Sequence, residues 1–166
     1  MNRIKRSGDN GKFHTGVRNL VTGLYIPFPV MPEGISENIS ANFTQQDIIG
    51  ASRPRIVYAS TGAKTISLSL KNLTEDYVAE GFPSLIQYVR ALQALAYPEY
   101  EAGVVKAPNL TLYLGADRTM SCVCTSVGVS WGSTVKEQQI TTCNVELTFL
   151  MTRPGVPGAT EVQNIG

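Results

Sequence analysis

One segment with helical periodicity, residues 82–97, lies in a chain whose other patterned segments all have the periodicity of β-strands. Apolar residues recur in this segment at spacings of three and four, which places them on one stripe of a helix of about four turns. Pro83 suits the first helical turn, and Pro98 favours an end at Tyr97. A single helix with one apolar stripe is expected to lie against a sheet.

Strict alternation of apolar and polar residues is clearest at residues 65–71, which predicts a half-buried strand. We expect further strands at residues 35–43, 55–60, 110–114, 120–131 and 143–151. Residues 24–32 are apolar but broken by prolines, which favours an edge strand or an extended packing segment. Residues 45–54, 99–108 and 132–139 are predicted loops. The pattern predicts a mainly β domain with one flanking α-helix, its sheet curled into a barrel or sandwich.

The long strand 120–131 is expected to bend, with Gly128 as the site of a kink or bulge. Simple alternation would place Val127 and Trp131 on one face, and Cys122 and Cys124 on the other. We interpret all three cysteines of the chain, the third being Cys143, as small buried apolar residues. Their odd number, without a secretion signal, favours a reducing compartment.

At 166 residues the chain is expected to form one domain. We divide it into a flexible basic arm at 1–20, a β domain at 21–152 with its helix at 82–97, and an extended tail at 153–166 rich in Pro and Gly. The basic arm admits two interpretations, a segment that becomes ordered on a partner and a solvated tail.

Charged residues make up only 16% of the chain, against about 25% in typical soluble domains. Such a surface fits a protein covered by partners, although a β-rich chain with many Ser and Thr would have the same composition. The net charge of +1 provides no general attraction to nucleic acid or to an anionic membrane. No segment approaches the ~18 apolar residues of a membrane span. We therefore expect neither sequence-specific nucleic-acid recognition nor membrane insertion.

Candidate catalytic groups are sparse in the sequence. His14 is the only histidine and lies in the basic arm, where a solvated side chain is the expected state. The cysteines lack the spacing and the fourth ligand of a zinc site. Two acidic pairs occur in predicted loops, at 75–76 and 99–101, without a basic partner nearby in sequence. The sequence therefore predicts a protein that is not an enzyme and that has no cofactor or metal.

An ordered set of short motifs runs through residues 24–151. A segment with the sequence DIIGASRP, at 47–54, precedes the strand TISLSL at 65–70. The helix ends in LQALAYP at 92–98, and the segment 108–115 then carries Leu at alternate positions before Gly115. The long strand to Trp131 and the closing strand NVELTF at 144–149 complete the order. This order resembles that of the hub-adaptor and tube-initiator proteins of contractile phage tails and related injection systems.

The resemblance implies a tail-tube-like split β-barrel and a virion structural protein of the tail or baseplate, made in the cytoplasm of the bacterial host. It implies a homo-hexameric ring that joins the baseplate hub and spike to the tail tube and the wedge proteins. Longer members of the family often carry a LysM domain, for which 166 residues leave no room. A tail tube or tail terminator subunit is the alternative. A small cell-wall hydrolase is a third hypothesis, from a different functional class.

Assembly of this kind needs sheet edges and extensions that contact neighbouring subunits. We therefore predict interface residues in the basic arm, in the segment 45–55 and at the start of the tail. The candidates are Arg3, Lys5, Arg6, Gln45, Asp47, Arg53, Arg55 and Arg153.

Overall fold

The computed structural model describes residues 15–75, 78, 81–101, 103–106, 108–115, 118–133, 135–136 and 139–152. Its architecture is mainly β with one helix, which confirms the predicted fold class. The first strands are β1 Thr15–Asn19, β2 Tyr25–Pro27, β3 Glu33–Asn38, β4 Ala41–Gln46, β5 Arg55–Thr61 and β6 Thr65–Thr74. The helix α1, Leu85–Ala94, follows. The later strands are β7 Glu99–Glu101, β8 Val104–Lys106, β9 Leu110–Leu114, β10 Thr119–Trp131, β11 Val135–Lys136, β12 Gln139–Ile140 and β13 Thr142–Met151.

Seven strands form one antiparallel sheet in the order β2-β1-β9-β10-β13-β6-β3. The strands at its two edges are β2 and β3. The remaining strands form three separate hairpins, which are β4–β5, β7–β8 and β11–β12. The sheet is therefore the body of the molecule, and the hairpins are attachments to it.

The core lies on the face of the sheet that alternation predicts. On β6, Ile66, Leu68 and Leu70 are buried, and the Ser residues between them are half-buried. The same alternation on β13 buries Leu147 and Phe149 among others. Burial of such side chains contributes about 1.5–3 kcal/mol each, so this face supplies much of the folding free energy.

Helix α1 covers this core face with one apolar stripe, formed by Leu85, Tyr88, Val89 and Leu92. The Tyr88 hydroxyl also donates to the Pro27 carbonyl at 2.9 Å, which ties the helix to edge strand β2. The regular helix is shorter than the predicted 82–97, because it begins only after the Ser84 cap and because its last turn tightens. The amides of residues 95–97 donate to carbonyls three residues earlier.

The predicted faces of β10 are corrected by a β-bulge. The register with β13 shifts between Cys124 and Ser126, so Thr125 is the extra residue. Cys122 and Cys124 therefore share the core face with Val127 and later residues, instead of facing away from them. Gly128, where we expected the irregularity, lies in regular register opposite Glu146. A bulge inverts the alternation beyond it, and the hydroxyl-rich sequence gives no sign of its position.

The boundary of the predicted basic arm is also corrected. Residues 15–19, assigned to the arm, form β1 and pair with both β2 and β9. The strand packs closely, since a Cβ at Gly16 would lie 2.5 Å from the Tyr25 hydroxyl oxygen. The sequence of β1 shows no alternation of apolar and polar residues, because Val17 is its only large apolar residue and follows a glycine. Residues 1–14 and 153–166 lie outside the described residues.

Two further segments differ from the sequence prediction. The expected strand 35–43 is divided at residues 39–40 into β3 and β4, which belong to different sheets. The expected loop 99–108 contains the short β7–β8 hairpin. Both differences place hairpins where the sequence predicted a single strand or a loop, and both hairpins expose apolar side chains.

Candidate assembly surface

The β4–β5 hairpin forms a two-stranded sheet of its own, in register from Ala41 opposite Thr61 to Gln46 opposite Arg55. Every described residue of its two strands is exposed, except the half-buried Val57. An isolated two-stranded hairpin is marginally stable in water, because it has no core of its own. This hairpin therefore depends for much of its order on its attachment to the body or on a partner.

One face of the hairpin is apolar. Phe43 stands opposite Tyr58, and their rings meet edge to face with centroids 5.7 Å apart. Ile56 lies on the same face opposite Gln45, and each of these apolar side chains is more than half exposed. Such a group of exposed large side chains is typical of a contact surface rather than of a solvated one.

The turn of the hairpin adds two more isoleucines. Ile48 is half exposed and Ile49 is fully exposed. A one-turn hydrogen bond from the Ala51 amide to the Ile48 carbonyl, 3.0 Å long, and a positive φ of 88° at Gly50 shape this turn. Gly50 is suited to that conformation because it has no Cβ. The turn therefore presents apolar side chains at the far end of the hairpin.

Four predicted interface residues, Gln45, Asp47, Arg53 and Arg55, lie in this hairpin or its turn, and all four are exposed. The structure thus brings this predicted group together in one element. The other four, in the arm and the tail, lie outside the described residues: Arg3, Lys5, Arg6 and Arg153.

The apolar side chains of this surface were not among the predicted interface residues, although the predicted segment 45–55 contains Ile48 and Ile49. Phe43, Ile56 and Tyr58 were assigned to ordinary strands, and the Ile48-Ile49 pair to a loop. The available signal was that pair itself, since two large aliphatic residues directly before a glycine are unusual in a solvated turn.

The hairpin joins the body through a compact root. There the Gly62 amide donates to the Ser40 carbonyl at 2.7 Å. On the body side, the Lys64 ammonium lies 2.5 Å from one carboxylate oxygen of Glu37, and Arg118 Nη1 lies 3.2 Å from the other. The hydrogen bond from Lys64 and the charges of Lys64 and Arg118 lower the pKa of Glu37, although partial burial opposes them. The carboxylate therefore stays ionised over the neutral range and into mild acid.

A second group of exposed apolar side chains surrounds the β7–β8 hairpin. Tyr97, Tyr100, Val104 and Val105 are each more than half exposed. The β1–β2 turn lies beside them, because the Asn19 side-chain amide donates to the Glu99 carboxylate. This region has no mixed-charge cluster comparable to the root of the β4–β5 hairpin among the described residues.

Two of the acids considered for catalysis have structural contacts. Glu75 accepts a hydrogen bond from the Leu85 amide at 3.0 Å, which caps the start of α1 beside the Ser84 cap. Glu99 holds Asn19, as described above. Glu75 and Glu99 therefore have structural hydrogen bonds in the folded chain. His14 and Asp76 lie outside the described residues.

The cysteines are free thiols buried in the core, as we predicted. Burial raises the pKa of Cys122 to about 12, with a further contribution from Cys124, and raises those of Cys124 and Cys143 to about 11. Protonated buried thiols are poor nucleophiles and poor metal ligands. Within the described ranges, no three His, Cys, Asp or Glu residues gather as a metal site.

The described part of the chain has no helix long and apolar enough to cross a membrane.

No family model matches the chain, and no curated protein sequence matches it. Among solved structures, it is similar to a chain in the tail of an empty GTA particle with C6 symmetry, at 12% identity and a TM-score of 0.46, over 87% of this chain and 94% of that one. It is also similar to a chain of the sheath–tube complex of PVC, an extracellular contractile injection system, in the extended state, at 16% identity and a TM-score of 0.40, over 85% and 86%. It is similar as well to a chain of the PVC sheath/tube terminator in the extended state, at 15% identity and a TM-score of 0.39. This similarity covers 85% of this chain and 91% of that one. At such identities and TM-scores these similarities assign neither a role nor an interface to this chain.

Proposed function

We propose that this protein is a structural subunit of a contractile tail, which forms a homo-hexameric ring between the baseplate hub and the tail tube and wedges. The ordered motifs of residues 24–151 support this assignment through their resemblance to hub-adaptor and tube-initiator proteins. In this proposal the seven-stranded sheet is the wall of a tail-tube-like split barrel. The protein acts by assembly in the virion tail and catalyses no reaction.

The β4–β5 hairpin is the observation that carries the proposal. Its strands and turn expose Phe43, Ile48, Ile49, Ile56 and Tyr58, which the body of the subunit leaves uncovered. Covering a large apolar side chain fully contributes about 1.5–3 kcal/mol, so half-covering five of them would contribute several kcal/mol to association. A neighbouring subunit that covers the hairpin would also supply the packing that a two-stranded sheet lacks.

Charged side chains at the turn of the hairpin can orient a partner that binds its apolar surface. Asp47 lies at the start of the turn, and Arg53 and Arg55 lie at its end. Charges at the rim of an apolar contact contribute more to orientation and partner choice than to affinity. The hairpin thus combines an apolar centre with polar edges, as protein interfaces do.

A tail tube or tail terminator subunit is the second candidate. The exposed apolar side chains around the β7–β8 hairpin favour it, because a subunit that stacks needs contacts on a second surface. The two roles differ in their products. A tube subunit stacks into filaments of many rings, whereas a hub adaptor stops at a single ring.

The test compares two isoleucine substitutions in the full chain. Ile49→Ser removes the most exposed apolar side chain of the hairpin, and Ile86→Ser changes an exposed isoleucine of α1 as the control. Mass in solution and electron microscopy are recorded for each variant, alone and with candidate hub proteins. We expect Ile49→Ser to abolish ring formation, or to raise the protein concentration that ring formation needs by at least about tenfold. Ile86→Ser should form rings at the same concentration as the parent chain.

Single rings would support the adaptor role, and filaments would support the tube role. Rings that form equally well with Ile49→Ser would contradict the assignment of the hairpin to the interface. A wild-type chain that remains a monomer alone and with hub proteins would contradict assembly itself. Turnover of peptidoglycan that is lost on substitution of one acidic residue would favour the hydrolase.

A further inference from the structure

The orientation of the β4–β5 hairpin is set at its root. Among the described residues, each side-chain hydrogen bond and ring contact of the hairpin joins two of its own residues, such as Asn42 to Ser60 or Phe43 to Tyr58. The chain enters through residues 39–40 and leaves through 62–64. Two backbone hydrogen bonds involve these connections: the Gly62 amide donates to the Ser40 carbonyl, and the Met151 amide donates to the Lys64 carbonyl. Only the first joins the two connections to each other, so a two-stranded hairpin on such short connections is expected to swing about the sheet edge.

We propose that Glu37 is a positioning residue, which fixes the direction of the hairpin by joining both of its connections to a third element of the body. Glu37 lies on β3 just before the entering connection, and Lys64 ends the leaving connection. Arg118 immediately precedes β10, which is separated from β3 by β13 and β6 in the sheet. The ion pairs therefore add a link to a third strand at a root where the backbone already pairs Asn38 with Thr65.

Charge and geometry both favour this role. Glu37 uses both carboxylate oxygens, one for each cation, and such charge-assisted hydrogen bonds are stronger than neutral ones. The side chains of Glu37 and Lys64 are 30% and 26% exposed, so solvent screens this pair less than a fully exposed one. The lowered pKa of Glu37 agrees with a carboxylate that the folded chain holds in its charged form.

The same strand carries a matched control. Glu33 begins β3 at the end distant from the hairpin, and its carboxylate lies 3.3 Å from the Lys71 ammonium. Both side chains of that pair are more than half exposed. Replacing Glu33 removes one ion pair from the same edge strand and leaves the root intact. A general loss of charge on β3 is thereby separated from a loss of positioning.

The consequence for assembly rests on the proposed function. A hairpin held in one direction loses less conformational freedom when a neighbouring subunit binds it, so association is favoured. The orientation itself, however, is a property of the single chain. It can be measured without any assembly, so the two ideas can fail separately.

The experiment measures distances between two spin labels in the full chain under conditions where it is monomeric. Ser52→Cys places one label in the turn of the hairpin, and Ser126→Cys places the other on an exposed position of β10. The three native thiols are buried with raised pKa values, so they react slowly with the labelling reagent. The distance distribution is compared for the parent, Glu37→Gln and Glu33→Gln.

We expect Glu37→Gln to broaden the distribution about twofold or to shift its centre, and Glu33→Gln to leave it unchanged. Arg118→Gln should also broaden the distribution. The Arg118 side chain is 63% exposed, so we expect this variant to fold. Arg118→Lys keeps the cation and should restore the narrow distribution. Equal distributions for the parent, Glu37→Gln and Arg118→Gln would overturn the proposal, as would equal broadening by Glu33→Gln.

Discussion

Arg118 Nη1 lies 3.2 Å from Glu37 Oε1, although two strands, β13 and β6, separate β10 from β3 in the sheet. The register also places the two residues at different positions along the strand direction. Thr119 pairs with β9 beyond the point where β13 ends, whereas Glu37 pairs with Ile66, which pairs in turn with Phe149 within the sheet. A flat sheet would hold these side chains far apart. Their contact indicates that the sheet twists and curls strongly at this corner.

The glycine of β1 tests how closely that sheet is packed. Gly16→Ala would place a methyl group 2.5 Å from the Tyr25 hydroxyl oxygen and 2.8 Å from the Ile26 carbonyl oxygen. We expect a loss of about 1–3 kcal/mol in the free energy of unfolding, measured by urea denaturation. Gly128→Ala is the control, because its new methyl group meets only Glu146, at 3.8 Å. A neutral Gly16→Ala would contradict the close approach of β2 to Gly16.

The hydroxyl of Tyr88 should contribute to the attachment of α1. Tyr88→Phe keeps the buried ring but removes the hydrogen bond to the Pro27 carbonyl, so we expect a loss of about 1 kcal/mol on unfolding. Tyr100→Phe changes an exposed tyrosine of β7 and should have no measurable effect. Equal stabilities of the two variants would contradict a structural role for the Tyr88 hydroxyl.

Much of this fold follows from the sequence, because regular alternation on β6 and the apolar stripe of α1 identify their elements directly. The rest depends on backbone events that side-chain type does not encode. Thr125 is one of several hydroxyl residues on β10, and nothing in its type marks it as the bulge. The segment 45–55 was predicted as an interface, but Phe43, Ile56 and Tyr58 beside it satisfied a strand pattern and were assigned to ordinary strands.

The buried thiols predict a dependence of stability on alkaline pH. The folded chain raises the thiol pKa values to about 11–12, so the unfolded chain loses these protons first as pH rises. Since the folded state then binds more protons than the unfolded state, the free energy of unfolding falls as pH rises above the ordinary thiol pKa. Below that pH the thiols do not make the free energy of unfolding depend on pH.

Thiol titration checks this prediction. With a thiol reagent at neutral pH, we expect slow reaction in the folded chain and fast reaction of three thiols in denaturant. Substitution of Cys122 by Ala should reduce the alkaline slope of stability. Fast reaction of a thiol in the folded chain would contradict the assigned burial.

The cap of α1 provides a fourth test. Ser84 accepts from the Gln87 amide at 3.3 Å, and Glu75 accepts from the Leu85 amide. We expect Ser84→Ala to lower the free energy of unfolding by about 0.5–2 kcal/mol. Ser84→Asp, which retains an acceptor at the same position, should preserve most of the stability. Loss of stability in both variants alike would contradict capping as the role of Ser84.

The central claim is that the β4–β5 hairpin is covered when this chain assembles. Hydroxyl-radical footprinting of Ile49, Ile56 and Tyr58, in the free chain and in the assembled ring, measures this directly. All three side chains are more than half exposed in the single subunit, so they should react readily there. We expect their oxidation to fall at least about fivefold on assembly, because the neighbouring subunit covers their surface. Equal oxidation in the free and the assembled chain would contradict it.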